Sequence, residues 1–354
     1  MKKSTTPTPT PDHAAPVSAC SAAPPAASAA RRATADRVQA VAPRRQGPRV
    51  AFAGERLGWL SKDALVVLAP RQADRPELTV PLGQARGIGV AGEALLAIGQ
   101  DKTETVYRIT AHGEVESWPA VLPITPYGIV RLFSDAAAQL WVVGEQTLQP
   151  VQLRLRGQSL ETGTALRLGA GATQRQQLEV TELAPGAFVY AQDGALTWLR
   201  HDGSRGKVEL PADLGVVQTL AGTGREDRLW VGLEHAGLAL LALNPTPQLL
   251  SCVALPPDSL VHALTANGAH AAAVLVQQAS GQPAQWHVAV YTNESQEKLR
   301  ITLPWQPALW EEPDVSVTLS GPGPTPLLAV ASATRLVVWD LATGRIILER
   351  NRTA

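Results

Sequence analysis

From residue 49 onward the apolar residues fall in short runs, mostly four to eight long and rich in Val, Leu, Ile and Trp. Gly, Pro, Asp and Asn break the runs. Runs of that length between such breakers read as strands and turns, and no stretch of about 12 residues carries a helical period. One arrangement recurs along the chain: an apolar strand, a polar turn, then a second strand. It occupies residues 64–80, 105–118, 151–163, 195–210, 238–250, 288–301 and 335–348. The turns centre near residues 73, 112, 157, 203, 245, 294 and 343, which sets a period of about 45 residues.

A period of that size in an all-strand chain predicts an all-β, seven-bladed β-propeller of four-stranded antiparallel blades. A blade that is apolar on both faces cannot stand alone, and radial packing buries both faces. The predicted propeller covers 49–351, with blades at about 49–83, 86–121, 126–168, 177–212, 215–256, 260–303 and 314–350. The fourth unit is short and the sixth long, so six or eight blades stay open. The inner strands are expected at 86–92, 126–134, 178–184, 215–222, 260–266 and 315–319. The ring can close by contact between first and last blades, or by a strand at residue 49 that crosses into the last blade. The large residues Trp198 and Trp339, on third strands, and Trp141 and Trp230, one strand earlier, are expected to fill the blade cores.

Residues 1–48 differ in kind. They hold 13 Ala and 8 Pro, and no Leu, Ile, Phe, Tyr or Trp. Such a stretch cannot bury enough apolar surface to offset its ordering entropy and is expected to be a disordered tail. Formal charge balances at 31 basic and 31 acidic residues, but the tail sets Lys2, Lys3, Arg31, Arg32, Arg37, Arg44 and Arg45 against Asp12 and Asp36 alone. The remainder therefore lacks the basic excess of a nucleic-acid binder.

Two cysteines, Cys20 and Cys252, make neither a disulfide framework nor a zinc spacing. Val17, Ser18 and Ala19 before Cys20 look like a lipoprotein cleavage box, but Ser4–Pro16 has no apolar stretch to precede it, and no later segment is long and apolar enough to span a membrane. The expectation is a cytoplasmic protein.

Two units carry a family resemblance. The segment LAVASATRLVVWDLATGRII (328–347) resembles the second half of a WD40 repeat, with Trp339 and Asp340 in the signature place. RLWVGLEHAGLALL (228–241) is similar to repeats of quinoprotein-like and sensor-type propellers. The resemblance covers about a tenth of the chain and implies a divergent WD40-like propeller. Ser320-Gly321 stands where WD40 blades open on Gly-His, and no Asp occupies the tight turn before Arg335.

Little else points to chemistry. Gly87, Gly89 and Gly92 form a G-x-G-x-x-G without the helix a dinucleotide site needs, and read better as allowing close approach of inner strands. Gly203, Gly206 and Lys207 lack P-loop spacing. The polar residues on the expected inner strands are Arg86, Arg131, Glu179, Glu182 and His262, with His262 placed most like a site residue. No nucleophile, base and oxyanion donor can be assembled from them. Trp305, Trp310, Glu311 and Glu312 lie in a proline-containing connection, either a binding patch or a segment tucked over the blade rim.

The reading is a non-catalytic protein-protein interaction scaffold, without cofactor or metal, a monomer within a larger assembly and, at its most specific, a subunit of a bacterial ATPase-associated system. Its interaction surface is drawn at Trp305, Trp310, Glu311, Glu312 and His262. A lactonase-type propeller hydrolase and a ligand-sensing propeller are the alternatives.

Overall fold

The computed structural model describes residues 48–352 except for segments in connections, the longer ones being 121–129, 135–139, 145–149, 166–179, 211–216 and 307–314. The tail before residue 48 lies outside the described residues, as do Glu179, Trp310, Glu311 and Glu312. Every regular element among the described residues is a strand.

The strands form four-membered antiparallel meanders. The first is β1 (Val50–Ala53), β2 (Arg56–Leu60), β3 (Ala64–Leu68) and β4 (Leu78–Pro81). The second is β5 (Gln84–Ala91), β6 (Ala94–Gln100), β7 (Glu104–Ile109) and β8 (Val115–Pro119). The third is β9 (Val130–Ser134), β10 (Leu140–Gly144), β11 (Pro150–Arg156) and β12 (Ser159–Ala165). The fourth is β13 (Val180–Ala184), β14 (Ala187–Gln192), β15 (Ala195–Arg200) and β16 (Arg205–Glu209). The fifth is β17 (Val217–Gly222), β18 (Arg228–Leu233), β19 (Gly237–Ala242) and β20 (Gln248–Val253). The sixth is β21 (Ser259–Ala266), β22 (His270–Gln277), β23 (Gln285–Thr292) and β24 (Glu297–Thr302). The last is β25 (Ser316–Leu319), β26 (Leu327–Ala331), β27 (Arg335–Asp340) and β28 (Arg345–Asn351).

Five meanders are separate four-stranded sheets, and the second and third are joined into one eight-stranded sheet. The join is a single parallel bridge, Gly89 to Leu132, where two first strands touch. Gly89 thus sits at a close approach of inner strands, the role expected of it.

The first strands face inward on one another: β1 lies against β5 and β25, β5 against β9, and β17 against both β13 and β21. Middle strands such as β6 and β22 are buried almost throughout, which is why they read as apolar runs. The outer strands are exposed, β28 along nearly its whole length. Apolar layers fill the gaps between meanders. One joins Val50, Leu57, Trp59 and Val66 of the first to Leu327, Ala329, Leu336 and Val338 of the last. Another sets Trp286 and Val288 against Val317 and Trp339.

The first and last meanders therefore meet by contact. β1 pairs with β2 and stays in its own sheet, so no strand is exchanged across the junction. Side chains hold this seam instead. Trp59 Nε1 donates to the Ser332 carbonyl at 2.8 Å, the Arg49 N–H to Ser316 Oγ at 3.2 Å, and Arg71 Nη2 to Asp340 Oδ2 at 2.9 Å.

Candidate functional site

Because each meander is antiparallel, the connection from a fourth strand to the next first strand lies at the end where the first strands begin. The first of these strands starts beside Arg49, and the connection 303–315 runs into β25 next to it. This end gathers the polar residues of the inner strands.

Among the described residues, three first strands carry a register shift near their start, and the residue at the shift is polar each time: Arg86 in β5, Gln218 in β17 and His262 in β21. A β-bulge breaks the ladder to re-aim one side chain. Arg49 stands just before β1 in the first meander, where its carbonyl accepts the Leu60 N–H. Arg49, Arg86 and His262 are all under a tenth exposed.

The re-aimed side chains reach over the ends of their own meanders. Arg86 donates to Gln100 Oε1 and lies 3.8 Å from a Glu104 oxygen. Burial pulls its pKa down, and Glu104 works against that. Arg49 Nη1 reaches the Leu60 carbonyl at 3.5 Å. The His262 ring meets Trp286 edge-on, with centroids 4.8 Å apart.

Trp286 connects two of the residues singled out in the sequence. Its backbone N–H donates to Gln306 Oε1 at 2.7 Å, while Gln306 Nε2 donates to the Leu303 carbonyl at 2.9 Å. This clamp tucks Trp305 into the core cluster that holds Trp286, leaving it 6% exposed. His262 and Trp305, 43 positions apart in the chain, are thus both linked to Trp286, one by ring contact and the other through a shared core cluster. Glu182 is partly buried on β13, and the side chain of Arg131 is outside the description. Among the described residues no three His, Cys, Asp or Glu side chains group as metal ligands.

Sequence reasoning picked out Arg86 and His262 but not Arg49 or Gln218. The signal was a polar residue four or five positions before the end of the first strand in four of the units, visible only once those units are aligned on their first hairpins. Cys252, expected in the core, is partly buried on β20 and packs against the cluster between the fourth and fifth meanders.

No family model matches the chain, and no curated protein matches it. Solved structures do. The Cps50 (Swd1) β-propeller domain of Myceliophteria thermophila is 13% identical, with TM-score 0.59 over 84% of this chain and 98% of that one. The WD40 domain of SCAP from fission yeast gives 12% identity and TM-score 0.50 over 86% and 87%. Virginiamycin B lyase from Staphylococcus aureus gives 12% and 0.51 over 83% and 92%. Likeness at such identities establishes architecture alone, and together with the four-stranded meanders and their inward first strands it makes this chain a β-propeller.

Proposed function

We propose that the chain is a seven-bladed propeller acting as a non-catalytic scaffold for protein partners, binding them at the end where the first strands begin. The supporting observation is the use made of the inner-strand polar residues. Arg49, Arg86 and His262 are spent on the ends of their own meanders, where they stiffen the platform from which the long connections emerge. Rigid elements presenting variable connections are a common basis for recognition. The surface we assign comprises Trp310, Glu311 and Glu312, from the sequence between the sixth and last blades, together with Trp305 and His262. A place in a bacterial, cytoplasmic ATPase-associated assembly extends this reading. The likeness to virginiamycin B lyase favours the second reading, a propeller enzyme.

Affinity capture from the native organism tests the proposal with three baits: the full chain, a chain starting at Arg49, and the full chain with Trp310→Ser, Glu311→Lys and Glu312→Lys. A stoichiometric partner kept by the first two and lost by the third is expected. A partner lost on truncation moves binding to the tail. Absence of any stoichiometric partner, together with turnover of a lactone or cyclic depsipeptide, overturns the scaffold in favour of the enzyme.

A further inference from the structure

Among the described residues, the layer between the fifth and sixth meanders contains three polar atoms without a hydrogen-bond partner: Trp230 Nε1, the Tyr291 hydroxyl and Thr219 Oγ1. Trp230 and Tyr291 are 0% exposed and Thr219 is 3% exposed. All three face the same layer. The Trp230 and Tyr291 rings belong to one cluster, with centroids 6.5 Å apart. Thr219 pairs across from Gly232, two positions beyond Trp230 on β18, and so shares its face. Gly232 also makes room: a Cβ there would come within 2.5 Å of Thr219 Oγ1.

A buried polar atom without a partner costs about as much as a lost hydrogen bond, and native interiors leave few of them. Three on one layer point to a guest that hydrogen-bonds. The donor set says what kind. An indole N–H can only donate, so the guest must accept; the two hydroxyls can do either. A cation fails the first condition. An anion would bring charge among Leu238, Leu240 and Ala273 with no countercharge among these groups. Water satisfies every condition, since buried waters typically hold about three partners.

We propose that this layer contains an internal hydration site, in which one water accepts from Trp230 Nε1, bonds the Tyr291 hydroxyl and takes Thr219 Oγ1 as its third partner. The water ties β18 to β23 across two meanders. The phenol proton is correspondingly hard to remove: burial pushes the Tyr291 pKa up to about 12. The site is independent of the scaffold reading.

Thermal unfolding of the full chain, of Tyr291→Phe, of Trp230→Phe and of the double variant tests it, together with a crystal structure at about 1.5 Å, where an ordered water is visible. Tyr291→Phe removes one oxygen and little volume. With a bridging water it lowers Tm by roughly 2–4 °C, because the water is left short of a partner. The double variant then loses less than the sum of the singles, since both side chains share one water. An unchanged or raised Tm in Tyr291→Phe, additive single variants, or a map without density between the two side chains overturns the proposal.

Discussion

Replacing Asp340 by Ala removes a carboxylate that works on both sides of the seam. Its Oδ1 accepts the N–H groups of Ala342 (2.9 Å) and Thr343 (3.1 Å), closing the turn before β28. Its Oδ2 accepts Arg71 Nη2 from the β3–β4 connection of the first meander. Hydrogen bonds to a charged group are worth about 1.5–3 kcal/mol each, less where water can replace the partner. Ala342 and Thr343 are exposed, and Arg71 is 37% exposed, so the three together amount to about 2–3 kcal/mol. At about 2–4 °C per kcal/mol, Tm should fall by roughly 5–10 °C, read by tryptophan fluorescence. Asp340→Asn keeps an oxygen for the turn and loses only the charge, at a cost of about 1 kcal/mol. The variants also differ with pH. Burial pushes the Asp340 carboxyl up, but the Thr343 and Ala342 N–H groups and Arg71 outweigh it and hold it below its ordinary value. Its stabilisation is therefore present above about pH 4 and lost as pH falls through the lower folded pKa. Asp340→Asn should lack that share of acid sensitivity. An Asp340→Ala protein melting within about 1 °C of wild type, or equal losses for Ala and Asn, would refute this account of the seam.

Gly222→Ala should prevent native folding or lower Tm by more than about 10 °C, because a Cβ there overlaps the Glu182 carbonyl where β13 meets β17; a soluble variant melting near wild type would show that these strands can part. Trp59→Phe should cost about 2 kcal/mol in a urea titration, since it removes the bond to the Ser332 carbonyl across the seam, and an unshifted midpoint would contradict that. His270 and His287 both have lowered pKa values, each through burial first, then through Lys298 and Arg300 respectively. Folding thus favours their neutral forms, so stability should be full above about pH 6.5 and decline as pH drops through the lower folded values; a urea midpoint that stays constant between pH 7.5 and 5 in wild type, or that falls as steeply in His270→Gln/His287→Gln, would count against it.

The architecture was legible because third and fourth strands leave an unmistakable trace. A strand such as β19 is buried almost end to end, so it reads as a solid apolar run, and its partner β20 follows a polar turn. Each hairpin identified from the sequence corresponds to a third-to-fourth-strand pair, from β3–β4 to β27–β28. The first strands were harder. A bulge adds one residue and flips the face of everything after it, so neither periodicity nor composition reveals that Gln218 and His262 hold equivalent places. Trp305 was ambiguous for another reason. What buries it is a side-chain clamp, Gln306 between the Trp286 N–H and the Leu303 carbonyl, and no residue type in the connection announces that contact.

The way the ring closes explains why the last unit carries the strongest repeat signature. Without an exchanged strand, its side chains must serve two meanders at once. Trp339 packs toward the sixth meander, while Leu336 and Val338, alternate residues of the same strand, pack toward the first. Ser332 stands in the turn before β27, where no Asp is found. Its hydroxyl oxygen accepts the N–H of Arg335 at 3.2 Å, and its carbonyl accepts Trp59 across the seam. Asp340 likewise caps its own turn and holds Arg71 of the first meander. Residues that satisfy a local turn and a distant partner have few substitutes. The WD-like pattern is therefore clearest where the first and last meanders meet.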